Sequence, residues 1–180
     1  MTDVAKNNSA CFSGHRRVHF DMTESYMGDI MQRALKSAIS AAIADGFTTF
    51  YTGMAKGFDI IAAEIVLEQK YATAAQLRLI SVLPFSGHED GFGKPWHKRH
   101  DNILRNADEI ISLNPGHTPG CYHERNRYLV DHSNRLICLY SGKPGGTKHT
   151  HDYAEKSGIQ IINLWPQIIA QDPLHQQQPS

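Results

Sequence analysis

The stretch TGMAKGFD, residues 52–59, joins a β-branched, aromatic run to an amphipathic one. Gly53 and Gly57 bracket Met54, Ala55 and a cation, Lys56, and the anion Asp59 follows. Glycines at such a junction let the backbone approach a ligand and take positive φ. The first amides of the helix that follows point outward without intrahelical partners and carry partial positive charge, so the turn suits a phosphate or carboxylate. Thr52 adds a hydroxyl. Asp59 is suited to a ribose hydroxyl or a base amine, or to compensating the helix dipole.

Comparable residues recur elsewhere. SGHRR (13–17) offers Ser13, Gly14, His15 and Arg16. The Arg16 guanidinium suits two-point contact with a phosphate, and His15 suits base stacking, proton transfer or a backbone hydrogen bond. YSGKPGGTKHT (140–150) offers Gly145, Gly146 and Thr147 behind Tyr140, a stacking platform or a core aromatic. LPFSGHE (83–89) brings Pro84 and Phe85, and a base is expected to lie toward Phe85 or Tyr140. ERNRY (124–128) opens a helix with Arg125, Asn126 and Arg127, which by themselves read as a solvated, ion-paired face. GKPGGTK has threonine where a Walker A loop has its second glycine, and no GxGxxG is present, which argues against a nucleoside triphosphatase.

The elements that must position these groups alternate. Short apolar runs at 9–14, 47–53, 76–85, 108–113, 135–140 and 159–165 read as strands. Helical periodicity falls at 23–45, from 60 to about 71, from Pro95 to about 106, at 122–133, and in a segment ending at Lys156. This order predicts an α/β, Rossmann-like single domain: a mainly parallel sheet with helices on both faces, binding ligand beyond the carboxyl ends of its strands. Residues 1–8 read as a flexible N-terminus, 9–165 as the domain and 166–180 as a polar tail.

The chain has 180 residues, 41% hydrophobic and 20% charged, with 18 basic and 18 acidic residues. Zero formal charge argues against a general nucleic-acid coat, whose footprint is basic. Cys11, Cys121 and Cys138 form no CxxC pair, which fits a reducing, cytoplasmic setting. No apolar run is long enough for a membrane span. Among eleven histidines, His97 and His100 lie at i, i+3 with Asp101 adjacent, but no HExxH or CxxC supplies convergent ligands, and no metal is expected.

CFSGHR, GMAKGFDIIAAE, ERNRYLVDHSNRLICLY and GKPGGTKHT together resemble the YpsA-like branch of the SLOG superfamily, which includes the DNA-processing protein DprA and the cytokinin-activating "lonely guy" enzymes. The resemblance spans about residues 9–164. It implies a Rossmann-like sheet with a nucleotide-type ligand at the strand ends, and a helix 122–133 bordering that pocket, which makes Asn126 and Arg127 ligand candidates against the solvated-face alternative. The expected function is binding of a nucleotide or nucleotide-derived molecule, as a sensor or ligand-binding module. One alternative is a nucleoside 5′-monophosphate phosphoribohydrolase, with Asp59 or Glu64 as its carboxylate. That branch resembles PGGxGTxxE, and Thr150 stands where its glutamate would be. The other alternative, by analogy with DprA, is single-stranded DNA binding. The resemblance is compatible with a homo-oligomer, and no cofactor is assigned.

Overall fold

The computed structural model describes residues 8–174. Six strands form one parallel sheet: β1 (Ser9–Gly14), β2 (Thr49–Thr52), β3 (Arg78–Leu83), β4 (Glu109–Ser112), β5 (Arg135–Leu139) and β6 (Gln160–Asn163). Six helices alternate with them: α1 (Tyr26–Ala44), α2 (Phe58–Ala72), α3 (Lys94–Asn106), α4 (Cys121–Asp131), α5 (Gly146–Lys156) and α6 (Trp165–Ile169). The residues described form a single α/β Rossmann-like sheet, as the alternating pattern predicts.

The two-residue period of a strand sorts side chains between two cores. Ala10 and Phe12 of β1, with Ile137 and Leu139 of β5, join a core packed with α1, α2, α3 and α6. Cys11, Leu136 and Cys138 face the opposite core, with Leu129 and Val130 of α4 and Ala154 of α5. Strands covered on both faces must be apolar throughout, and β5 is buried at all five positions. Burial pushes the Cys11 and Cys138 thiols up to about 12, leaving them inert at neutral pH.

The strand order is β4-β3-β2-β1-β5-β6. The chain builds outward from β1 on one side through β4, then returns to place β5 on its other side. The reversal leaves a crevice beyond the carboxyl ends of β1 and β5.

Three boundaries differ from the sequence pattern for identifiable reasons. Helix α1 starts at Tyr26 rather than Thr23, because Asp21 Oδ1 accepts from the backbone N–H groups of Thr23 and Glu24 and holds a turn there. Ser25 then caps the helix, accepting from Gly28 N–H at 2.9 Å. Strand β6 stops at Asn163, whose Oδ1 accepts from the N–H groups of Tyr140 and Trp165. Helix α6 follows, with a proline in its first turn and Ile168 buried. It extends into the stretch expected as a tail from residue 166. Residues 1–7 of the expected N-terminal segment and 175–180 of that tail lie outside the described residues.

Candidate ligand site at the β1–β5 switch

A cavity of about 600 Å³ occupies this crevice. Its walls come from four places in the chain: Ser13–Arg17 after β1, Ala55 and Asp59 around the start of α2, Tyr122–Asn126 on α4, and Gly145–Thr147 at the start of α5. A second cavity, about 710 Å³, is lined by Lys56, Gly57, Met22, His88 and Trp96 among others. The two share Arg16, Arg17 and Tyr122.

The start of α5 is open. Gly145 caps it at φ 138°, and a Cβ built there would meet nothing within 4 Å. Gly145 and Gly146 are exposed while Thr147 is buried. The Asn126 amide donates to the Gly146 carbonyl at 3.4 Å, tying α4 to this turn. Thr150 is buried and donates to the same carbonyl at 3.0 Å. The residue standing in place of a glutamate is therefore committed to holding the helix's first turn.

Arg16 and Arg17 are exposed on the opposite wall, and Arg16 lies over the Tyr122 ring at 5.3 Å. His15 is turned away from full exposure. Its Nε2 accepts from the Ser141 N–H at 3.0 Å, so the ring proton sits on Nδ1. Burial, then the charge of Lys143, lowers the His15 pKa. His15 thereby links the ends of β1 and β5, with Tyr140 beside it at 5.9 Å between centroids.

The chemistry beneath the cavity centres on Asp59 and Arg125. Asp59 is 4% exposed; its Oδ2 accepts from Ala55 N–H at 3.3 Å, and its Oδ1 has no hydrogen-bond partner. Burial raises its pKa to about 6, opposed by the positive charge of Arg125 and, less, of Arg16. A buried carboxyl with a raised pKa, paired with a cation in a crevice, makes Asp59 a functional-site candidate. Arg125, expected on a solvated face, is instead 4% exposed. It donates from Nη1 to the Gly53 carbonyl and from Nε to Asn126 Oδ1. Burial lowers its pKa, opposed by Asp59. Sequence inspection missed this residue, although Cys121, Arg125 and Leu129 recur at four-residue steps and all are buried.

TGMAKGFD works differently from the expectation of two permissive glycines. Gly57 does take a positive φ, 97°, as the cap of α2. Gly53 does not; Met54 does, at φ 57°, with its side chain fully buried. The Thr52 hydroxyl is also buried, accepting from Met54 N–H and donating to the Asp59 carbonyl, both at 3.2 Å.

The structure thus brings Ser13, Gly14, His15, Arg16, Ala55, Asp59, Asn126, Gly145, Gly146 and Thr147 to one cavity. Lys56 and Gly57 line the adjoining one. Thr52, Gly53 and Met54 lie behind the wall. Phe85 meets Tyr122 edge-on at 6.0 Å, and the Pro84 carbonyl accepts from Asn114. Arg127 lines separate hollows with Tyr153 and Tyr128. Tyr140 packs on His151 at 4.7 Å. Glu64 is drawn away altogether: Arg99 donates to both its oxygens, at 2.8 and 2.5 Å, and it lines a surface hollow with Tyr71 and Asn106.

A similar arrangement of sequence is found in known proteins. The profile of the YspA SLOG family matches residues 10–164. The chain belongs to the YspA SLOG family. Within reach of this family is the SPbeta prophage-derived protein YoqJ of Bacillus subtilis, 32% identical over 136 residues, covering 65% of this chain and 76% of YoqJ. A UPF0398 protein of Halalkalibacterium halodurans is 30% identical over 129 residues, covering 70% and 68%. Among solved structures, DNA processing protein A (DprA) of Streptococcus pneumoniae superposes with a TM-score of 0.61 at 19% identity, over 88% of this SLOG chain and 50% of that chain. DprA of Helicobacter pylori, described for its single-stranded DNA binding mode, gives 0.57 at 17%, over 87% and 64%. The SLOG chain therefore spans half of one DprA and under two thirds of the other, and these likenesses show the shared fold. None of the helices in the described residues is long and apolar enough to cross a membrane.

Proposed function

We propose that this SLOG domain binds a nucleotide or a nucleotide-derived small molecule in the β1–β5 crevice, as a ligand-binding or sensing module. One observation carries the reading: the glycine-built start of α5 and the Arg16 side chain line the same cavity at the point where strand order reverses. The phosphate rests on the amides of Gly146 and Thr147, where the helix dipole favours negative charge, and Arg16 closes on it as a guanidinium fork. Tyr122 provides an aromatic face for a base. Asp59 lies at the cavity floor, where its carboxyl meets a ribose hydroxyl.

The test is mass spectrometry of small molecules released from the denatured, freshly purified protein, followed by calorimetric titration of each hit. Release of an intact nucleotide-like compound that rebinds supports the proposal. Recovery of free base and ribose phosphate supports the N-glycosidic hydrolase instead, with Asp59 as the carboxylate that meets charge developing on the ribose. No release, and no binding across a broad nucleotide panel, removes the proposal.

Single-stranded DNA binding is a second reading, favoured by two exposed arginines that line the cavity with Tyr122 and by the likeness to Helicobacter pylori DprA, described for its single-stranded DNA binding mode. Stacking platforms flanked by cations suit single strands. Affinity that falls steeply with added salt distinguishes it from a small-molecule site.

A further inference from the structure

The loop after β3 and the second turn of α3 bring together three groups that the crevice does not use. His88 and Glu89 come from the loop, His100 from the helix. Their metal-ligating atoms all lie within 4.8 Å of one another. The His88 side chain is 2% exposed, His100 0% and Glu89 17%.

The hydrogen bonding around them is unbalanced. His88 Nε2 is 3.1 Å from the Met54 carbonyl, an acceptor only, so Nε2 carries the ring proton and Nδ1 is a bare lone pair. That lone pair is buried without a hydrogen-bond partner and lies 3.3 Å from Glu89 Oε2, also buried without one. Two acceptors facing each other out of water repel unless a proton or a metal cation lies between them. His100 Nε2, a third buried atom with no hydrogen bond, is 4.0 Å from the same oxygen.

We propose that His88 Nδ1, Glu89 Oε2 and His100 Nε2 bind a divalent transition-metal ion, zinc above all. Bonds of about 2.0–2.2 Å at tetrahedral angles place ligand atoms about 3.4 Å apart. The 3.3 Å edge already has this length and the 4.0 Å edge needs a small rotamer adjustment. Two imidazoles and one carboxylate form a borderline donor set suited to zinc, with a fourth position for water. His88 matches the pattern of metal-bound histidines, whose second ring nitrogen meets a carbonyl or carboxylate, here the Met54 carbonyl. His100 Nδ1 makes no hydrogen bond; the nearby carboxylate is Asp101, with Oδ1 at 3.6 Å. Phe92 packs edge-on against both rings, at 5.6 and 5.9 Å, and shields the site from solvent. The sequence pair His97–His100 does not form the site by itself: His97 is half-buried, turns Nδ1 to Asp101 at 3.3 Å, and groups with Glu89 and Asp90 beside it.

The test uses tag-free protein stripped with chelator, titrated with Zn(II) by calorimetry and with Co(II) by visible absorption. One equivalent per chain is expected, with the d–d bands of tetrahedral Co(II). Glu89→Gln and His100→Gln are each expected to weaken binding more than about 100-fold, beyond the loss from outer-group changes. The double variant His123→Ala/His149→Ala removes a neighbouring histidine pair on α4 and α5, 4.4 Å between ring centroids, and is expected to leave binding intact. Zinc raises the melting temperature of the wild type and not of Glu89→Gln. Binding lost with His123 and His149 but kept without Glu89 overturns the proposal, as does the absence of any binding tighter than tens of micromolar. If the buried variants do not fold, X-ray absorption of the zinc-loaded wild type decides: two imidazoles with oxygen ligands uphold the site, and any other donor set overturns it.

Discussion

The guanidinium of Arg125 fills the space that a side chain at residue 53 would need: a Cβ built on Gly53 would lie 2.7 Å from Arg125 Nη1. The glycine is there for an arginine of the same chain. Gly53→Ala is expected to destabilise the fold by about 1–3 kcal/mol through overpacking, measured by urea unfolding. In an Arg125→Ala background the three atoms nearest that Cβ are gone, so the double-mutant cycle is expected to show strong coupling. Additive costs would mean that the two residues do not share this space.

Asp59 makes stability depend on pH in an uncommon direction. Its folded-state pKa, about 6, lies above the ordinary 3.8 of the unfolded chain. The folded protein therefore holds the extra proton between about pH 4 and pH 6, and its stability falls as pH rises through that window. The full shift corresponds to an upper limit of about 3 kcal/mol. Asp59→Asn is expected to be the more stable protein at pH 8 and to lose that advantage by pH 4. Urea titrations of both proteins at several pH values give the difference curve; a flat one would contradict the raised pKa.

Gly146 separates binding from folding. A Cβ there would meet only Asn126 Nδ2, at an ordinary 3.8 Å, and the residue has no positive φ. Gly146→Ala is expected to keep both fold and ligand. Gly146→Asp puts a carboxylate where the proposed phosphate lies, and is expected to weaken binding at least tenfold in calorimetric titration with an unchanged melting temperature. Equal affinity in the two variants would move the phosphate elsewhere.

Glu64→Gln tests the carboxylate that the structure removes from the site. Its bidentate contact with Arg99 is partly exposed, with side chains 32% and 29% accessible, so about 1 kcal/mol of stability or less is expected to be lost. Ligand binding and any glycosidic cleavage are expected to be unaffected. A cleavage activity that disappears in this variant would return Glu64 to candidacy.

The parallel sheet was legible because strands buried on both faces must be apolar along their length, and β5 reads as RLICL. The start of α5 was legible for a related reason: glycines before a helix leave its amides open. Arg125 was hidden because a charged residue in YHERNRYLV reads as solvated, and its burial depends on Gly53, distant in the chain. Glu64 misled because one turn of helix separates it from Asp59 in sequence but its partner Arg99 lies on α3. Met54, rather than a glycine, takes the left-handed backbone, held by the Thr52 hydroxyl and His88, contacts that emerge only on folding.

The reversal of strand order also governs when the crevice can exist during synthesis. His15 and Ser141 meet across 126 positions of chain, and the wall opposite Arg16 is made by Gly145–Thr147. A nascent chain can pair β1 through β3 early, yet it has no complete crevice until α5 has emerged from the ribosome. Premature termination before residue 135 leaves a partial sheet that lacks β5, so the β1 edge is unpaired, a template for association rather than recognition. The crevice is thus completed late in translation, and under the proposed function a captured ligand would report a chain synthesised through that helix.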